Sequence, residues 1–352
     1  MNQINLVIVG CGYVAEGHLT AWKKIPEATI LAVVDLNQEL AKQTAQRWGI
    51  RNYYSTLKEA MANNQVNLVD IATPPQVHSK VAVEAMNAGA NVLIEKPMTM
   101  TVSDSQEIVD CWKETGVKAA VLHNWLFDQS VVFARSLVKE GGLGEVFNAS
   151  IEALSTKEDS MAANKNHWCH KFPGGRFSEM LAHPIYLVRE FLGTDFAVDD
   201  IEVSKIGDYP WMKSDELVAT FRVGRNKLGR AYASFNSSRD AIFVFLYGTE
   251  GILKLDIINS TVNFLPKRIT SRFSRGFDSL RQAGQLVKWT AKNAGEVVFK
   301  RWQSGHDLYI KEFAEYLRKG GEPPVSIEEG LSVIKNLDEM CKIIELKQQK
   351  AD

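Results

Sequence analysis

The sequence predicts two domains, an α/β domain followed by an α+β domain with a mostly antiparallel sheet. The first is indicated by apolar, β-branched runs that alternate with segments of helical period, because a βαβα order produces a parallel, doubly wound sheet. The second is indicated by strand-like runs after Gly144 that turns join without crossover helices. The length agrees, since 352 residues at roughly 150 per domain correspond to two domains.

Near-continuous apolar runs are expected in a parallel sheet, because helices cover both of its faces. We expect its strands at Ile4–Val9, Ile30–Val34, Leu68–Ile71, Asn91–Ile94 and Ala119–Leu122. Strands of the second domain are expected at Val146–Ala153, Ile201–Ile206, Leu217–Val223, Gly229–Phe235, Phe243–Tyr247, Ile252–Ile257 and Thr261–Leu265. The clear alternation in Leu217–Val223 indicates that one sheet face is either solvated or used for association. We expect a homo-oligomer that forms through this open sheet.

Composition excludes several classes of protein. The 41 basic residues nearly equal the 42 acidic ones, which argues against nucleic acid as a partner, because phosphate binding needs a basic excess. The four cysteines form no CxxC pair and no zinc-type spacing, which indicates a reducing compartment. No apolar stretch approaches the roughly 20 residues of a membrane span. We therefore expect a cytoplasmic protein.

A glycine-rich turn, Gly10–Ala15, follows the first predicted strand and opens a helix. Gly10 permits the tight turn, Gly12 lets the backbone approach a pyrophosphate, and the small Ala15 allows close packing of helix on strand. The helix N-terminus stabilises phosphate charge. Strand, turn and helix in this order predict a dinucleotide-binding Rossmann domain.

Asp35 ends the second predicted strand, 20 residues after Ala15, at the position that contacts the cofactor ribose. A carboxylate there accepts hydrogen bonds from both ribose hydroxyls and repels a 2′-phosphate, and the next residues contain no Arg or Lys to offset it. The sequence therefore predicts NAD rather than NADP. The alternative is a solvated Asp that caps the helix beginning near Asn37.

Three further segments carry a resemblance to a known family: Ala72–His78, Glu95–Pro97 and Gly174–His183. Together with the glycine-rich turn, they resemble the glucose–fructose oxidoreductase / inositol dehydrogenase family of NAD(P)-dependent oxidoreductases. The last segment matches the pattern G-G-x-x-x-D-x-x-x-H, except that Glu179 stands where Asp is usual.

The resemblance implies a Rossmann domain followed by a domain with an open, mostly antiparallel sheet, and closing helices that return to the Rossmann domain. We place the first domain at residues 1–124 and the second at 125–325. The C-terminal helix at 326–352 is expected to return to the first domain. In similar proteins the bond between Lys96 and Pro97 is often cis.

Three residues are the predicted catalytic groups: Lys96, Glu179 and His183. Lys96 follows the fourth parallel strand at its carboxyl end, where it can exchange a proton with a substrate hydroxyl. Glu179 and His183 lie four residues apart on one side of a predicted helix, so the carboxylate could orient the imidazole or bind a substrate hydroxyl. The alternatives are a surface lysine and a solvated helix pair.

The remaining predicted contacts follow from the same segments. The predicted cofactor-binding residues are Gly10, Gly12, Tyr13, Val14, Ala15, Asp35, Thr73, Pro74, His78, Glu95, Lys96 and Asn124. The predicted substrate-binding residues are Lys96, Asn124, Trp168, Glu179 and His183, with Trp168 suited to stacking on a sugar ring. A helix-capping role for His78 is the alternative. No second cluster completes a four-ligand set with His167, Cys169 and His170, so no metal is predicted.

These residues predict an NAD-dependent oxidoreductase that transfers a hydride between the nicotinamide and a secondary alcohol or ketone of a sugar, cyclitol or sugar derivative. Lys96 and His183 would take part in proton transfer. The substrate could be phosphorylated or linked to a nucleotide. The alternatives are a non-catalytic regulator that binds NAD or a sugar nucleotide, and a redox-neutral enzyme of the epimerase or glycosidase type that retains NAD.

A basic segment, residues 266–302, is the part of the chain that the family resemblance explains least. Its nine basic and two acidic residues give a formal charge of +7, whereas the whole chain carries −1. Apolar residues recur at steps of three and four from Phe277 to Trp302, which predicts an amphipathic helical insertion. Three interpretations stay open: a helix docked on the protein or a sister subunit, a flap over an anionic substrate, or a membrane-surface helix.

Overall fold

The computed structural model describes residues 3–267 and 274–351, and the chain divides into two compact units. The first unit comprises Met1–Asn124 and Gln303–Lys335, and the second comprises Trp125–Trp302 and Asn336–Asp352. The chain therefore returns to the first unit at Gln303, earlier than the 326 expected from the sequence, and leaves it again within the last helix.

The first unit is built on a six-stranded parallel sheet of order β3-β2-β1-β4-β5-β6, so the predicted Rossmann-like α/β fold is confirmed. Its strands are β1 Ile4–Val9, β2 Ala28–Val34, β3 Asn52–Tyr54, β4 Leu68–Ile71, β5 Asn91–Glu95 and β6 Ala119–Leu122. Its helices are α1 Ala15–Trp22, α2 Gln38–Trp48, α3 Leu57–Asn63, α4 His78–Asn87, α5 Val102–Thr115 and α11 Gly305–Lys319. The strand order reverses between β1 and β4, where ligands bind in open α/β sheets.

The second unit is built on a seven-stranded sheet of order β13-β12-β11-β7-β10-β9-β8, in which β7 and β10 are parallel and the other pairs antiparallel. This confirms the predicted open, mostly antiparallel sheet. Its strands are β7 Val146–Thr156, β8 Phe196–Ser204, β9 Glu216–Val223, β10 Lys227–Ser237, β11 Ala241–Gly248, β12 Gly251–Asp256 and β13 Thr261–Pro266.

Several helices belong to this unit. They are α6 Gln129–Lys139, α7 Ser160–Ala163, α8 Phe177–Met180, α9 Ala182–Leu192 and α10 Ser274–Val298, while α12 Ile327–Ala351 spans both units. Helix α9 packs on β7 and β10 and covers one sheet face. Among the residues that the structure describes, no helix combines the length and the apolar character needed to span a bilayer.

Helix α11 is attached to the edge of the parallel sheet by hydrogen bonds as well as by apolar packing. The buried Tyr309 hydroxyl donates to the backbone oxygen of Val121 at 2.6 Å. Lys118 Nζ donates to the carbonyl oxygens of Tyr316 and Leu317 at 2.9 and 2.8 Å, which satisfies acceptors that the last turn of a helix leaves without partners. These contacts place Gly305–Lys319 in the first unit.

A buried ion cluster joins α1, β4, β5 and the start of α11. His18 Nδ1 lies 2.9 Å from the Asp70 carboxylate, and His18 Nε2 lies 3.0 Å from Glu95 Oε1. Trp22 Nε1 donates to Asp70 at 2.6 Å, and His306 Nε2 lies 3.5 Å from Glu95. Since both nitrogens of His18 face carboxylates in the interior, the imidazole is held as a cation between two anions.

The pKa values agree with this charge assignment. Burial alone would lower the pKa of His18, but Asp70 and Glu95 outweigh it and raise the pKa to about 10. Burial alone would raise the pKa of Glu95, but hydrogen bonds and charge from His18 and His306 hold it well below its ordinary value. One ring nitrogen each of His18 and His306 and one carboxylate oxygen of Glu95, the atoms that could bind a metal ion, lie within 4.8 Å of one another. A protonated His18 offers no lone pair, so we describe these residues as an ion cluster rather than a metal site.

We predict that His18→Gln lowers the free energy of unfolding by about 3–5 kcal/mol, because it leaves two buried carboxylates without their cation. Urea unfolding followed by circular dichroism measures this. Arg47→Gln is the control: it breaks an exposed ion pair with Glu16 and should leave stability nearly unchanged.

The same cluster predicts a pH dependence. The His18 contribution is fully present below pH 6.5, its ordinary pKa, and is lost as pH rises through about 10. The Glu95 contribution is present above its ordinary pKa of 4.5 and is lost as pH falls through its lower folded value. Wild-type stability should therefore decline from pH 6.5 to 10, and His18→Gln should flatten that decline. An unchanged slope in the variant contradicts the cluster's assigned charges.

Candidate functional site

The turn after β1 has the geometry that close backbone approach requires. Gly10 adopts a φ of +98°, and a Cβ there would lie 2.5 Å from the carbonyl oxygen of Ala72, so the turn can press against the loop after β4 only because Gly10 has no side chain. A Cβ at Gly12 would meet nothing within 4 Å. Ala15 is buried at the start of α1. The Gly12 backbone is thus open to a ligand at the N-terminus of a helix.

Asp35 stands beside this turn at the end of β2. One carboxylate oxygen accepts from the Cys11 backbone N–H at 2.9 Å, and the other accepts from the Asn37 N–H at 2.8 Å. The side chain is therefore oriented by the glycine-rich turn itself. The capping residue of α2 is Asn37, which accepts from the Leu40 N–H, so the capping role that was the alternative for Asp35 belongs to Asn37.

The loop after β4 carries Thr73 and Pro74, and His78 begins α4. His78 is fully buried, with Nε2 2.7 Å from the Thr73 carbonyl oxygen and Nδ1 3.0 Å from that of Met98. Burial lowers the pKa of His78. Its imidazole ties the loop after β4 to the loop after β5. Tyr13 and Val14 lie in the glycine-rich turn just before α1, and the Tyr13 side chain is exposed.

Lys96 follows β5 directly, and its peptide bond to Pro97 is cis, as the family resemblance implied. The Lys96 backbone N–H donates to Glu95 Oε2 at 2.7 Å, while the other carboxylate oxygen of Glu95 faces His18. Glu95 is buried. Its carboxylate therefore links the ion cluster to the backbone that carries Lys96.

The first unit fits a dinucleotide. Loops after β1, β2, β4, β5 and β6 share one edge of the parallel sheet, because the carboxyl ends of parallel strands meet there. Among the described residues, Thr73 Oγ1 and Asn124 Oδ1 are buried at this edge without a hydrogen-bond partner. Buried polar atoms are normally paired, so these two are suited to a bound polar ligand. Gly10, Gly12, Asp35, Thr73 and Asn124 would hold it.

In the second unit, the glycine pair shapes the chain before α8. Gly174 and Gly175 have φ values of +78° and +57°, and a Cβ on Gly174 would lie 3.0 Å from Cys341 Sγ. Both positions therefore favour glycine. Arg176 follows, buried, and bridges Glu179 and Asp159, with Nε 3.2 Å from Asp159.

Glu179 is thus one anion of a buried Arg176 ion-pair cluster. Coulombic attraction from Glu179 and Asp159 outweighs burial and raises the pKa of Arg176. Arg176 also lies 4.9 Å from the centre of the Phe235 ring. A carboxylate anchored by an arginine has a defined position, which suits binding of a substrate hydroxyl.

His183 lies near the start of α9 and is almost fully buried. Its Nδ1 is 2.6 Å from the Tyr186 hydroxyl, and the Trp125 indole stacks on the imidazole at 3.8 Å between ring centres with an angle of 11°. The Trp125 backbone N–H donates to the same hydroxyl at 3.1 Å. The imidazole is therefore held in both position and plane.

Trp168 opens a short 3-10 helix, Trp168–Lys171, that His167 caps through the Cys169 N–H. The Trp168 ring is half-buried beside the rings of His167 and Phe172. His170 Nε2 lies 2.8 Å from the Met161 carbonyl oxygen. These two histidines thus have structural contacts in this segment.

The structure divides the predicted site residues between its units. Lys96 and Asn124 belong to the first unit, whereas Trp168, Glu179 and His183 belong to the second. Sequence reasoning missed Tyr186, Trp125, Arg176 and the ion cluster around His18. Tyr186 had a signal, since it stands three residues after His183 on the same helix. Contacts that join distant segments, such as Trp125 with His183, had none.

Two family models match the chain. One, described as the oxidoreductase family, NAD-binding Rossmann fold, matches residues 4–123, and the other, the C-terminal alpha/beta domain of the same family, matches residues 135–348. The matched N-terminal model is that of an NAD-binding domain, which confirms NAD as the cofactor class predicted from the glycine-rich turn.

Three individual relatives share between 19% and 30% of their aligned residues with this chain. Oxidoreductase P35 of Formosa agariphila is 30% identical over 197 residues, and the match covers 54% of this chain and 61% of that protein. Levoglucosan dehydrogenase of Pseudarthrobacter phenanthrenivorans is 24% identical over 71% of this chain and 73% of that protein. The WlbA dehydrogenase of Bordetella pertussis, solved with NADH and UDP-GlcNAcA, has a TM-score of 0.78 at 19% identity, with 100% of this chain and 97% of that chain covered.

The match to Oxidoreductase P35 spans less than two thirds of that protein's length, so it does not by itself indicate a shared activity. The two family models together cover both units. This chain belongs to the GFO/IDH/MocA oxidoreductase family.

Proposed function

We propose that this protein is an NAD-dependent dehydrogenase that oxidises a secondary alcohol of a sugar or sugar derivative, or reduces the corresponding ketone. The observation that supports the proposal is the placement of the two candidate proton-transfer groups: Lys96 lies on the cis-proline loop after β5, and His183 is held by Tyr186 and Trp125. The names of the relatives, a levoglucosan dehydrogenase and a dehydrogenase solved with UDP-GlcNAcA, support a carbohydrate substrate.

Bound NAD supplies the hydride acceptor, so the protein must supply the rest of the reaction. When an alcohol is oxidised, its hydroxyl oxygen loses a proton, and the carbon that bears this oxygen loses a hydride to the nicotinamide. An imidazole titrates near neutral pH and suits this task, and the stacked Trp125 ring sets the plane of His183. Lys96 would interact with the same substrate oxygen, and Glu179, anchored by Arg176, would bind a neighbouring hydroxyl.

The two rival functions predict other behaviour. A regulator that binds NAD or a sugar nucleotide needs no proton-transfer group, so replacing Lys96 or His183 would leave its ligand binding intact and reveal no turnover to lose. A redox-neutral enzyme that retains NAD would convert substrate without net accumulation of NADH. Both outcomes are visible in the experiments that follow.

A homo-oligomer through the open sheet is also proposed. One sheet face carries exposed apolar side chains, among them Leu228 and Ile252. Both lie on one face, because their register partners, Asn148 and Tyr247, are opposite one another across β7 and β11. That face is the one opposite α9, since a Cβ on the adjacent Gly229 would lie 2.9 Å from Val188 of α9. An apolar, uncovered face of this kind is typical of association surfaces.

We predict that Lys96→Ala and His183→Ala each lower kcat about 100- to 10,000-fold, because each removes a proton-transfer group. NADH formation is followed with levoglucosan, myo-inositol and UDP-GlcNAcA as substrates, and NADH binding by fluorescence titration. Lys80→Ala, an exposed lysine on α4, is the control and should behave as wild type. Full turnover in either variant with intact NADH binding contradicts the assigned roles.

Tyr186 is predicted to be a positioning residue. Tyr186→Phe keeps the ring and removes the hydroxyl that contacts His183 Nδ1, so kcat should fall about tenfold with little change in KM, since one hydrogen bond contributes about 0.5–1.5 kcal/mol. The pH profile of kcat should also shift, because the imidazole loses a partner. A stability loss with unchanged kcat and an unchanged profile indicates a structural role only.

The proposed preference for NAD over NADP depends on Asp35. Wild type should bind NADH more tightly than NADPH. Asp35→Asn should lower the dissociation constant of NADPH relative to that of NADH about tenfold or more, because it removes the charge that repels a 2′-phosphate. Asp35→Ser, which also removes the acceptors for the Cys11 and Asn37 N–H groups, should weaken NADH binding as well. Tighter wild-type binding of NADPH overturns the argument.

A further inference from the structure

Helix α10 contacts its own unit through polar residues. Gln285 pairs with the backbone of Phe264 on β13, through Oε1 at 2.7 Å and Nε2 at 2.9 Å. Asn293 Nδ2 donates to the carbonyl oxygens of Asn259 and Ser260 at 2.8 and 3.0 Å. Glu296 accepts from a glutamine of α6 at 2.9 Å. Trp289 adds one apolar contact, with its ring 5.5 Å from that of Phe133 on α6. The face of α10 turned toward the protein is therefore mostly polar, with side-chain amides, one carboxylate and one indole.

The apolar stripe predicted from the sequence lies on the opposite side of the helix. Its large side chains Phe277, Leu280, Val287 and Val298 are 70%, 69%, 67% and 75% exposed. They recur at helical spacing and are separated by small residues, so they form one continuous strip. The helix therefore lies on its own unit, as the docking interpretation expected, but it does so through its polar face and not through the apolar stripe. Exposed apolar strips of this length mark an interaction surface.

The charges beside the strip are of one sign. Arg281 and Lys288 are exposed and flank it on the same side, and neither has an ion-pair partner among the residues that the structure describes. The acidic residues of the helix, Asp278 and Glu296, lie on the inner, half-buried side. Of the other basic residues of the segment, Arg268 and Arg272 and the side chain of Arg275 lie outside the described part of the chain. The described outer surface of α10 is thus apolar and cationic.

We propose that this outer face of α10 lies on an anionic lipid surface, with the strip of Phe277, Leu280, Val287 and Val298 inserted at the headgroup level. An amphipathic helix with a separate apolar face and lysine and arginine beside it is the pattern of interfacial helices. Anionic headgroups complement Arg281 and Lys288 and attract them before insertion. This inference does not depend on the proposed dehydrogenase activity.

A second copy of the chain fits this surface less well. About a twofold axis, two α10 helices pair either antiparallel, with the flank of Arg281 and Lys288 beside the same flank of the other copy, or parallel, with it beside the opposite flank. Among the described residues of α10, neither flank carries an acidic side chain that would complement these charges. Charge complementarity therefore favours the lipid surface.

The test is co-sedimentation of the full chain with vesicles of phosphatidylcholine alone and of phosphatidylcholine with phosphatidylserine. Wild type should bind the mixed vesicles, and binding should weaken as salt rises. Arg281→Gln with Lys288→Gln should lower the partition coefficient at least about tenfold and reduce its salt dependence. Leu280→Gln with Val287→Gln should abolish partition at every salt concentration, since it removes the inserted strip.

The matched control is Lys42→Gln with Lys58→Gln, which removes the same charge from exposed positions of the first unit and should bind vesicles as wild type. Because the altered α10 side chains are exposed, the variants should keep the wild-type circular dichroism spectrum. Absence of wild-type binding to the mixed vesicles overturns the proposal. Equal loss in the control also overturns it, as does a Leu280/Val287 variant that changes only the mass measured by light scattering, which assigns the strip to a second copy.

Discussion

A single buried imidazole holds two buried carboxylates, and the arrangement of the first unit depends on it. Asp70 on β4 and Glu95 at the end of β5 lie on neighbouring strands, and their two buried negative charges would repel one another without a cation between them. His18, supplied by α1, lies between them with one nitrogen on each carboxylate. The helix that follows the glycine-rich turn is thereby held against the strands whose loops carry the site.

The ion cluster also reaches the chemistry. Glu95 uses its second oxygen to accept the Lys96 N–H, and His306 at the start of α11 approaches the first. The loop that carries Lys96 is thus held by the charged cluster around Glu95 and by His78, which joins this loop to the loop after β4. In the second unit the same principle recurs with different residues, since Arg176 lies between Glu179 and Asp159 next to the helix that carries His183. Buried charges of this kind keep polar side chains in defined positions.

The local pattern of apolar residues was sufficient to predict most of the strands and helices. The parallel sheet was predicted except for β3, because Asn52–Tyr54 is a three-residue, half-buried strand without an apolar run. The predicted helix that carries Glu179 and His183 consists of two segments, α8 and α9, which are separated at Leu181. The second difference separates two predicted site residues, since Glu179 lies on α8 and His183 on α9 rather than on one helix.

The sequence by itself determined the α/β order, the glycine-rich turn with Asp35, the lysine at the end of β5 and the helical period of α10, because each is written in neighbouring residues. Tertiary structure alone decided which groups meet: His18 with Asp70 and Glu95, and Trp125 with His183. It also decided that α10 turns its amide face inward, since a period shows that a helix has two faces but not which face the protein covers. Contacts between distant segments depend on the packing of whole elements, which local periodicity does not encode.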